Sequence, residues 1–204
     1  MKIEAVNLTK KYNNQLVFKD VNFVFNSGEK IAIIGDNGSG KTTFLKTLSG
    51  ITIPSSGKIH YNDGKIKKEN IGTKISYCAP YASLIEQYTL NDFLSFYCRF
   101  RKILDIHSVD SILKKANIIK AKNKSISSFS TGMKQKLKLI IAFLTNSNAI
   151  FLDEPSSNLD EKGVYFYHYL LEKYSDKRTL IVASNDIKKE LKKYNNIIDI
   201  SKYK

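Results

Sequence analysis

A glycine-rich segment, GDNGSGKT at residues 35–42, constrains the possible fold of this chain more than any other pattern. The short apolar run IAII precedes it, and the residues after it place Phe44, Leu45 and Leu48 at helical spacing. A strand, a tight glycine loop and a helix in this order are typical of a loop whose backbone N–H groups surround a phosphate. The segment therefore predicts an α/β fold with a phosphate-binding loop between a buried strand and a helix.

The loop fits the pattern G-x-x-x-x-G-K-[ST], and its residue types suit a nucleotide. Glycines let the backbone bend so that successive N–H groups face the β- and γ-phosphates. Lys41 is expected to neutralise phosphate charge, and the Thr42 hydroxyl to bind Mg²⁺. Thr43 is expected to pack against the loop or to donate to the α-phosphate. The predicted nucleotide-binding residues of this segment are Gly35, Asp36, Asn37, Gly38, Ser39, Gly40, Lys41, Thr42 and Thr43.

An acidic pair, Asp153 and Glu154, follows a second apolar run, AIFL. A strand that ends there would deliver the Asp153 carboxylate beside the phosphates, where it can hold Mg²⁺ through water. Glu154 would then be placed to polarise an attacking water. Two acids at a strand end are, by themselves, equally well explained as a polar strand terminus. The glycine loop earlier in the chain favours the catalytic interpretation.

The rest of the chain alternates strand-like runs, such as IEAVNL, VNFVF and TLIVAS, with helical segments. Thr89 and Asp92 form a capping-box pattern ahead of an amphipathic stretch, which predicts a helix start. A helical insertion is therefore expected over roughly 85–130, and a further helix around 165–174. Because no repeat or linker divides the chain, we predict one domain, 1–204, with the insertion as its helical subdomain.

Turn chemistry adds two local predictions. Gly50 is placed to end the helix that follows the glycine loop. The segment PSSGKIHYNDGKI at 54–66 predicts a β-hairpin with Asn62, Asp63 and Gly64 as its turn.

Composition limits the function classes. The formal net charge is +14, but only three of the 33 basic residues are arginine, namely Arg99, Arg101 and Arg178. Proteins that recognise nucleic-acid grooves and phosphates favour arginine, so no specific nucleic-acid partner is expected. The positive charge is interpreted first as a solvated lysine-rich surface, and second as electrostatic attraction to a membrane or a protein partner.

No apolar run approaches the ~20 residues of a membrane span. The beginning lacks a secretory core, so a cytosolic chain is expected. Cys78 and Cys98 predict neither a zinc site nor a disulfide.

Further motifs carry a resemblance to a known family. FSTGMKQ at 129–135 resembles the LSGGQ signature of ABC-type ATPases, and SNLD at 157–160 resembles their D-loop. Tyr12 lies where these proteins stack an aromatic ring on adenine, and Gly57 also matches. The chain thus resembles, over its whole length, the ATP-binding subunit of an ABC transporter. The resemblance implies a P-loop NTPase of ABC type, with a mixed sheet core, an antiparallel β edge and a helical subdomain.

The same resemblance implies how the chain would act. Two subunits would form a head-to-tail dimer with Mg-ATP sandwiched between them, each ATP contacting one glycine loop and the other subunit's signature. The implied contacts to nucleotide from these motifs are Ser130, Thr131, Gly132 and Asp160. A second, identical ATPase subunit and a transmembrane subunit on a separate chain are the implied partners. The chain would then be cytoplasmic and peripheral, on the inner face of the cell membrane.

Two family positions are changed. Pro80 stands where the family has a glutamine that senses the γ-phosphate, and Asn185 stands where it has a switch histidine. An asparagine amide can donate to a phosphate oxygen but carries no charge near pH 7. The predicted catalytic residues are therefore Glu154, Lys41 and Asn185. Two alternatives stay open: a soluble ABC ATPase outside transport, and a regulatory subunit that hydrolyses ATP weakly.

Overall fold

The computed structural model describes all 204 residues. Its chain divides into two units. The first, here called the sheet unit, comprises Met1–Tyr77, Ser147–Glu154 and Ser175–Lys204. The second, the helical unit, comprises Cys78–Asn146 and Pro155–Tyr174 and includes the segment 85–130 in which helices were expected. Treating 1–204 as one domain stays a prediction.

Three strands of the sheet unit form an antiparallel sheet in the order β2-β1-β4. They are β1 (Ile3–Tyr12), β2 (Gln15–Phe25) and β4 (Ser56–Tyr61). The register between β1 and β4 shifts between Val6 and Thr9, and Asn7 inside this bulge has φ +48°. Gly57 lies opposite the bulge with φ +84°, and an added Cβ would fall 2.3 Å from the Asn7 carbonyl oxygen. Only glycine fits at this position without displacing β1.

The other five strands, which belong to the sheet unit except for Cys78 at the end of β5, form a sheet in the order β5-β6-β7-β3-β8. They are β3 (Lys30–Ile34), β5 (Ile75–Cys78), β6 (Ala149–Asp153), β7 (Thr179–Ala183) and β8 (Asn196–Asp199). Strand β3 pairs in parallel with β7 and β8, and β6 pairs in parallel with β7. Every residue of β6 and β7 is buried, as expected for parallel strands covered on both faces. The parallel registers bring the carboxyl ends of β3, β6 and β7 to one edge.

Three helices accompany the sheets, namely α1 (Lys41–Leu48), α2 (Ile71–Lys74) and α7 (Ile187–Glu190). Phe44, Leu45 and Leu48 of α1 are fully buried, and Phe44 meets the ring of Phe18 edge to face at 5.2 Å. Gly50 follows α1 with φ +78°, and its N–H donates to the Thr47 carbonyl, so the predicted helix end is confirmed.

The helical unit contains α3 (Leu90–Phe100), α4 (Val109–Lys115), α5 (Thr131–Leu144) and α6 (Glu161–Tyr174). Thr89 caps α3, because its side chain accepts from the Asp92 N–H at 3.1 Å. The capping-box prediction is therefore confirmed. Helices α5 and α6 pack together, with the rings of Phe143 and Tyr167 6.2 Å apart.

The predicted α/β class with parallel and antiparallel strands is confirmed, and the antiparallel strands form a sheet of their own. The predicted hairpin at 54–66 is wrong. Its turn exists, with positive φ at Asn62, Asp63 and Gly64, but no strand follows it, and β4 pairs with β1 instead. Cys78 and Cys98 form no disulfide. None of the helices has both the length and the apolar character needed to cross a bilayer.

Candidate functional site

The glycine loop curls between the end of β3 and the start of α1. Gly35, Gly38 and Gly40 have φ values of +143°, +78° and +107°, which L side chains rarely adopt. An added Cβ at Gly40 would lie 2.6 Å from Cγ1 of Val17, and one at Gly35 would lie 2.6 Å from Oγ of Ser39. The loop therefore needs glycine both for its backbone angles and for the space around them.

The N-terminus of α1 is open to an anion. Gly40 is its N-cap, no side chain caps the helix, and its first turn contains no acidic residue. Uncapped N–H groups and the positive end of the helix dipole favour a phosphate at this position. The buried hydroxyl of Ser39, inside the loop, also makes no hydrogen bond within the protein. The loop thus fits the phosphates of a nucleotide.

Lys41, the first residue of α1, is only 7% exposed. Its ammonium donates to the carbonyl oxygens of Gly35 at 2.7 Å and Asp36 at 3.1 Å. It also donates to Oδ1 of Asn185 at 2.5 Å. An ammonium has three N–H donors, so these acceptors use all of them.

Asp153 ends β6 and is 2% exposed. Burial raises the pKa of its carboxyl, and a hydrogen bond from the Thr42 hydroxyl together with nearby Lys46 and Lys41 opposes that rise. Its Oδ1 is buried and makes no hydrogen bond. A buried carboxylate with an unpaired oxygen beside a hydroxyl suits a hard divalent cation. Thr42 and Asp153 therefore fit Mg²⁺. No cluster of three or more histidine, cysteine, aspartate or glutamate side chains offers another metal site.

Glu154 directly follows β6 with φ +44°, an unusual conformation for a glutamate. Its N–H donates to the Ala183 carbonyl at 2.9 Å, which anchors it to the end of β7. Its Oε1 accepts from the Asn185 N–H at 3.1 Å. Burial raises the pKa of the Glu154 carboxyl, and Lys41 and that N–H lower it. Left-handed backbone of this kind costs on the order of 1 kcal/mol and is common at functional sites.

Asn185 connects these groups. Its side-chain Nδ2 donates to Oδ1 of Asn37 in the glycine loop at 2.5 Å, and its Oδ1 accepts from Lys41 at 2.5 Å. One exposed asparagine therefore bonds the loop, the lysine and the Glu154 carboxylate together. The sequence indicated Asn185 as a site residue, but nothing in it indicated these partners.

Tyr12, the proposed adenine platform, is the last residue of β1, and the residue is 48% exposed. The ammonium of Lys10 lies 4.6 Å from the ring centroid, a cation–π contact. The exposed part of the ring is available for stacking.

The signature and D-loop residues lie in the helical unit. Ser130 caps α5 by accepting from the Met133 N–H at 3.2 Å. Thr131 is the first residue of α5 and has no positive φ, so replacing the family's glycine strains nothing there. An added Cβ on Gly132 would lie 3.1 Å from the Asn158 carbonyl oxygen. The carboxylate of Asp160 accepts from the Gly163 N–H at 2.8 Å, which gives it a role in capping α6.

Pro80 borders a cavity of about 450 Å³ in the helical unit, lined by residues 80–84, Glu86, Asn158 and one face of α5. The ammonium of Lys138 on α5 donates to the Pro80 carbonyl, and burial lowers its pKa. Lys134, one turn earlier, pairs with Glu86 at 2.8 Å. Nothing in the sequence singled out Lys138. It is the third lysine of an alternating run, after Lys134 and Lys136, and such a run is equally typical of a solvated helix face.

The sheet unit therefore brings the predicted loop residues together with Asp153, Glu154 and Asn185. These elements define a class: an α/β nucleotide-binding protein with a phosphate loop and an acidic strand end.

The family model described as ABC transporter matches residues 18–157, and the chain belongs to this family. Within it, the chain is the ATP-binding, ATP-hydrolysing component, as the resemblance implied. It is 32% identical over 190 residues to an uncharacterised ABC transporter ATP-binding protein, YybJ, of Bacillus subtilis (strain 168), covering 90% of this chain and 85% of the relative.

Solved structures agree with the fold. An ATP-binding subunit of an ABC transporter superposes with a TM-score of 0.86 at 24% identity, over 98% of this chain and 87% of the other. The dimeric ATP-binding cassette MJ0796, in a post-hydrolysis state bound to ADP and Pi, superposes with a TM-score of 0.80 at 22% identity, over 98% and 95% of the two chains.

Proposed function

We propose that this chain binds Mg-ATP at the glycine loop and hydrolyses it in a head-to-tail dimer, thereby driving a transmembrane subunit on a separate chain. The observation that carries the proposal is the hydrogen-bonded cluster at the strand ends, where Lys41, Asn185 and Glu154 converge on the loop. Such a cluster has the parts that phosphoryl transfer to water needs: a cation, a general base and backbone donors.

Each residue has a defined part in this proposal. The loop N–H groups and Lys41 would hold the β- and γ-phosphates, and Tyr12 would stack on adenine. Thr42 and Asp153 would hold Mg²⁺, which when bound supplies charge neutralisation to the phosphates. Glu154 would orient the attacking water and accept its proton while the bond to the γ-phosphorus forms and ADP leaves. Its raised pKa makes it a better proton acceptor than an exposed glutamate.

The head-to-tail dimer is supported by the distribution of motifs. The glycine loop, Asp153 and Glu154 belong to the sheet unit, whereas Ser130–Gly132 and Asp160 belong to the helical unit. At the N-terminus of α5 the Ser130 hydroxyl accepts from the Met133 N–H, and the N–H groups of Thr131 and Gly132 ahead of it would suit the γ-phosphate bound by another subunit. The similar fold of a cassette described as dimeric with ADP and Pi agrees with this arrangement.

The proposed location is peripheral, on the cytoplasmic face of a membrane, where the chain would dock on its transmembrane partner. The net charge of +14 would favour approach to an anionic lipid surface. We propose a second identical chain as the dimer partner and no specific nucleic-acid ligand.

The test is ATP-dependent dimerisation of the Glu154→Gln variant, which keeps the side-chain shape but removes the proton acceptor. Light scattering with Mg-ATP should show the mass doubling, and the double variant with Lys41→Ala should stay monomeric. A Glu154→Gln protein that binds ATP and yet keeps the monomer mass at high concentration would contradict the homodimer.

A weakly hydrolysing regulatory subunit is the second candidate, favoured by the uncharged Asn185 in place of histidine. The two functions differ in turnover of the wild-type dimer. A steady ATPase rate that Glu154→Gln abolishes supports the first, and a wild-type rate no higher than that of Glu154→Gln supports the second.

A further inference from the structure

Lys41 has no N–H left for a phosphate unless it gives up a protein partner. Two of its acceptors, the carbonyl oxygens of Gly35 and Asp36, belong to the backbone of the loop itself. The third, Oδ1 of Asn185, belongs to an exposed side chain from outside the loop. Exchanging the side chain needs only a rotation about its own bonds, whereas exchanging a carbonyl distorts the loop. A phosphate oxygen would therefore replace Asn185.

The chemistry of the amide makes this contact possible. Lysine only donates, so the amide oxygen of Asn185 must face Lys41 and its NH₂ must face outward, toward Oδ1 of Asn37 at 2.5 Å. A protonated histidine at this position would have no acceptor for Lys41. The bridge from Lys41 through Asn185 to Asn37 is thus a consequence of having asparagine here.

We propose that the Asn185 carboxamide occupies the γ- or β-phosphate position on Lys41 and competes with nucleotide for it, in addition to positioning the site. This inference rests on the proposed ATP site and deepens it. Asn185 is then a positioning residue with two separable contacts. Its side chain holds Lys41 and Asn37, and its main-chain N–H holds Glu154. A side-chain substitution removes the competition but leaves the bond to Glu154.

The competition predicts a gain of affinity on truncation, opposite to what a residue that only contacts phosphate would give. Asn185→Leu, of similar size and without polar atoms, should bind ADP and a non-hydrolysable ATP analogue about tenfold more tightly in calorimetry. Tenfold corresponds to about 1.4 kcal/mol, the scale of one hydrogen bond to a charged group. Asn185→Asp should bind both more weakly, because its carboxylate pairs with Lys41 and repels phosphate.

Thermal unfolding provides the second readout. Without nucleotide, Asn185→Leu should melt below wild type, because the bridge is lost. Saturating ADP should raise its melting temperature by more than it raises that of wild type, since the shift follows the affinity. Asn91→Leu, at an exposed asparagine on α3, should change neither measurement.

The outcomes separate the two proposals. If wild type binds both nucleotides and Asn185→Leu binds them equally or more weakly, the competition is refuted and the proposed ATP site stands. If wild type binds neither nucleotide, the ATP site and the competition fall together.

Discussion

Replacing Gly57 with alanine is expected to destabilise the protein far more than the same change at Gly28. Both glycines have nearly the same left-handed backbone, with φ +84° and +81°. They differ in their surroundings. A Cβ at Gly28 meets nothing within 4 Å, whereas one at Gly57 would lie 2.3 Å from the Asn7 carbonyl oxygen and 2.6 Å from that of Val6.

The magnitude follows from these two contributions. An alanine in left-handed backbone costs about 1–2 kcal/mol, and both variants share this cost. Carbon–oxygen contacts normally stay beyond about 3.3 Å, so the Gly57 variant must also move β1 away from β4 and weaken several ladder hydrogen bonds. At roughly 1 kcal/mol for each bond, the additional loss is about 2–3 kcal/mol. For a protein of this size, Gly57→Ala should therefore melt about 4–12 °C below Gly28→Ala.

Differential scanning calorimetry of Gly28→Ala and Gly57→Ala, side by side, measures this difference directly. Because both variants share the backbone strain, the difference between their melting temperatures reports only the steric clash between residue 57 on β4 and the bulge in β1. Equal melting temperatures for the two variants would refute the reasoning, since they would mean that Asn7 moves aside without cost.

Three further predictions concern the site and the core. Thr42→Val should remove most of the Mg²⁺ dependence of ATP binding while leaving Mg-free binding nearly unchanged, as measured by calorimetry with and without chelator. Tyr12→Ala should weaken ATP binding by about tenfold and Tyr12→Phe should not, because stacking needs the ring and contributes about 1–3 kcal/mol. Fluorescence titration with a labelled ATP measures the affinities, and an equal loss of affinity in both variants would contradict stacking. Phe44→Ala should lower the free energy of unfolding, measured by urea denaturation, by about 3–5 kcal/mol, because this fully buried ring packs on Phe18. A loss below about 1 kcal/mol would mean that neighbouring side chains repack into the cavity.

Local signals in the sequence predicted local structure well. The capping pair Thr89 and Asp92, the helix end at Gly50 and the glycine loop all depend on residues a few positions apart, and each forms as expected. The prediction of a hairpin at 54–66 was wrong because it also depended on contacts between distant segments. The turn at 62–64 is encoded locally, but the strand partner is not: β4 pairs antiparallel with β1, which lies at the beginning of the chain.

The composition of the candidate site was likewise predictable, but its hydrogen bonds were not. Asn185 could be placed because it stands in TLIVASND where the resembled family has its switch histidine, and the structure puts it two residues after β7. Its bonds to Lys41 and Asn37 depend on how β3 and β7 align, which no single segment specifies. Lys138 could not be found at all, because its acceptor is a main-chain carbonyl and any residue type provides one.

The start of α5 and the turn after Glu154 are joined within the helical unit. The buried amide of Gln135 donates to the Pro155 carbonyl at 2.9 Å, and Gly132 leaves only 3.1 Å between an added Cβ and the Asn158 carbonyl. The signature and the D-loop are therefore a single structural block and not two adjustable segments. A substitution in one motif would also shift the backbone of the other, so the effects of substitutions in the two motifs should not be additive. Variants of the signature and the D-loop should therefore be made and measured together, as double-mutant cycles.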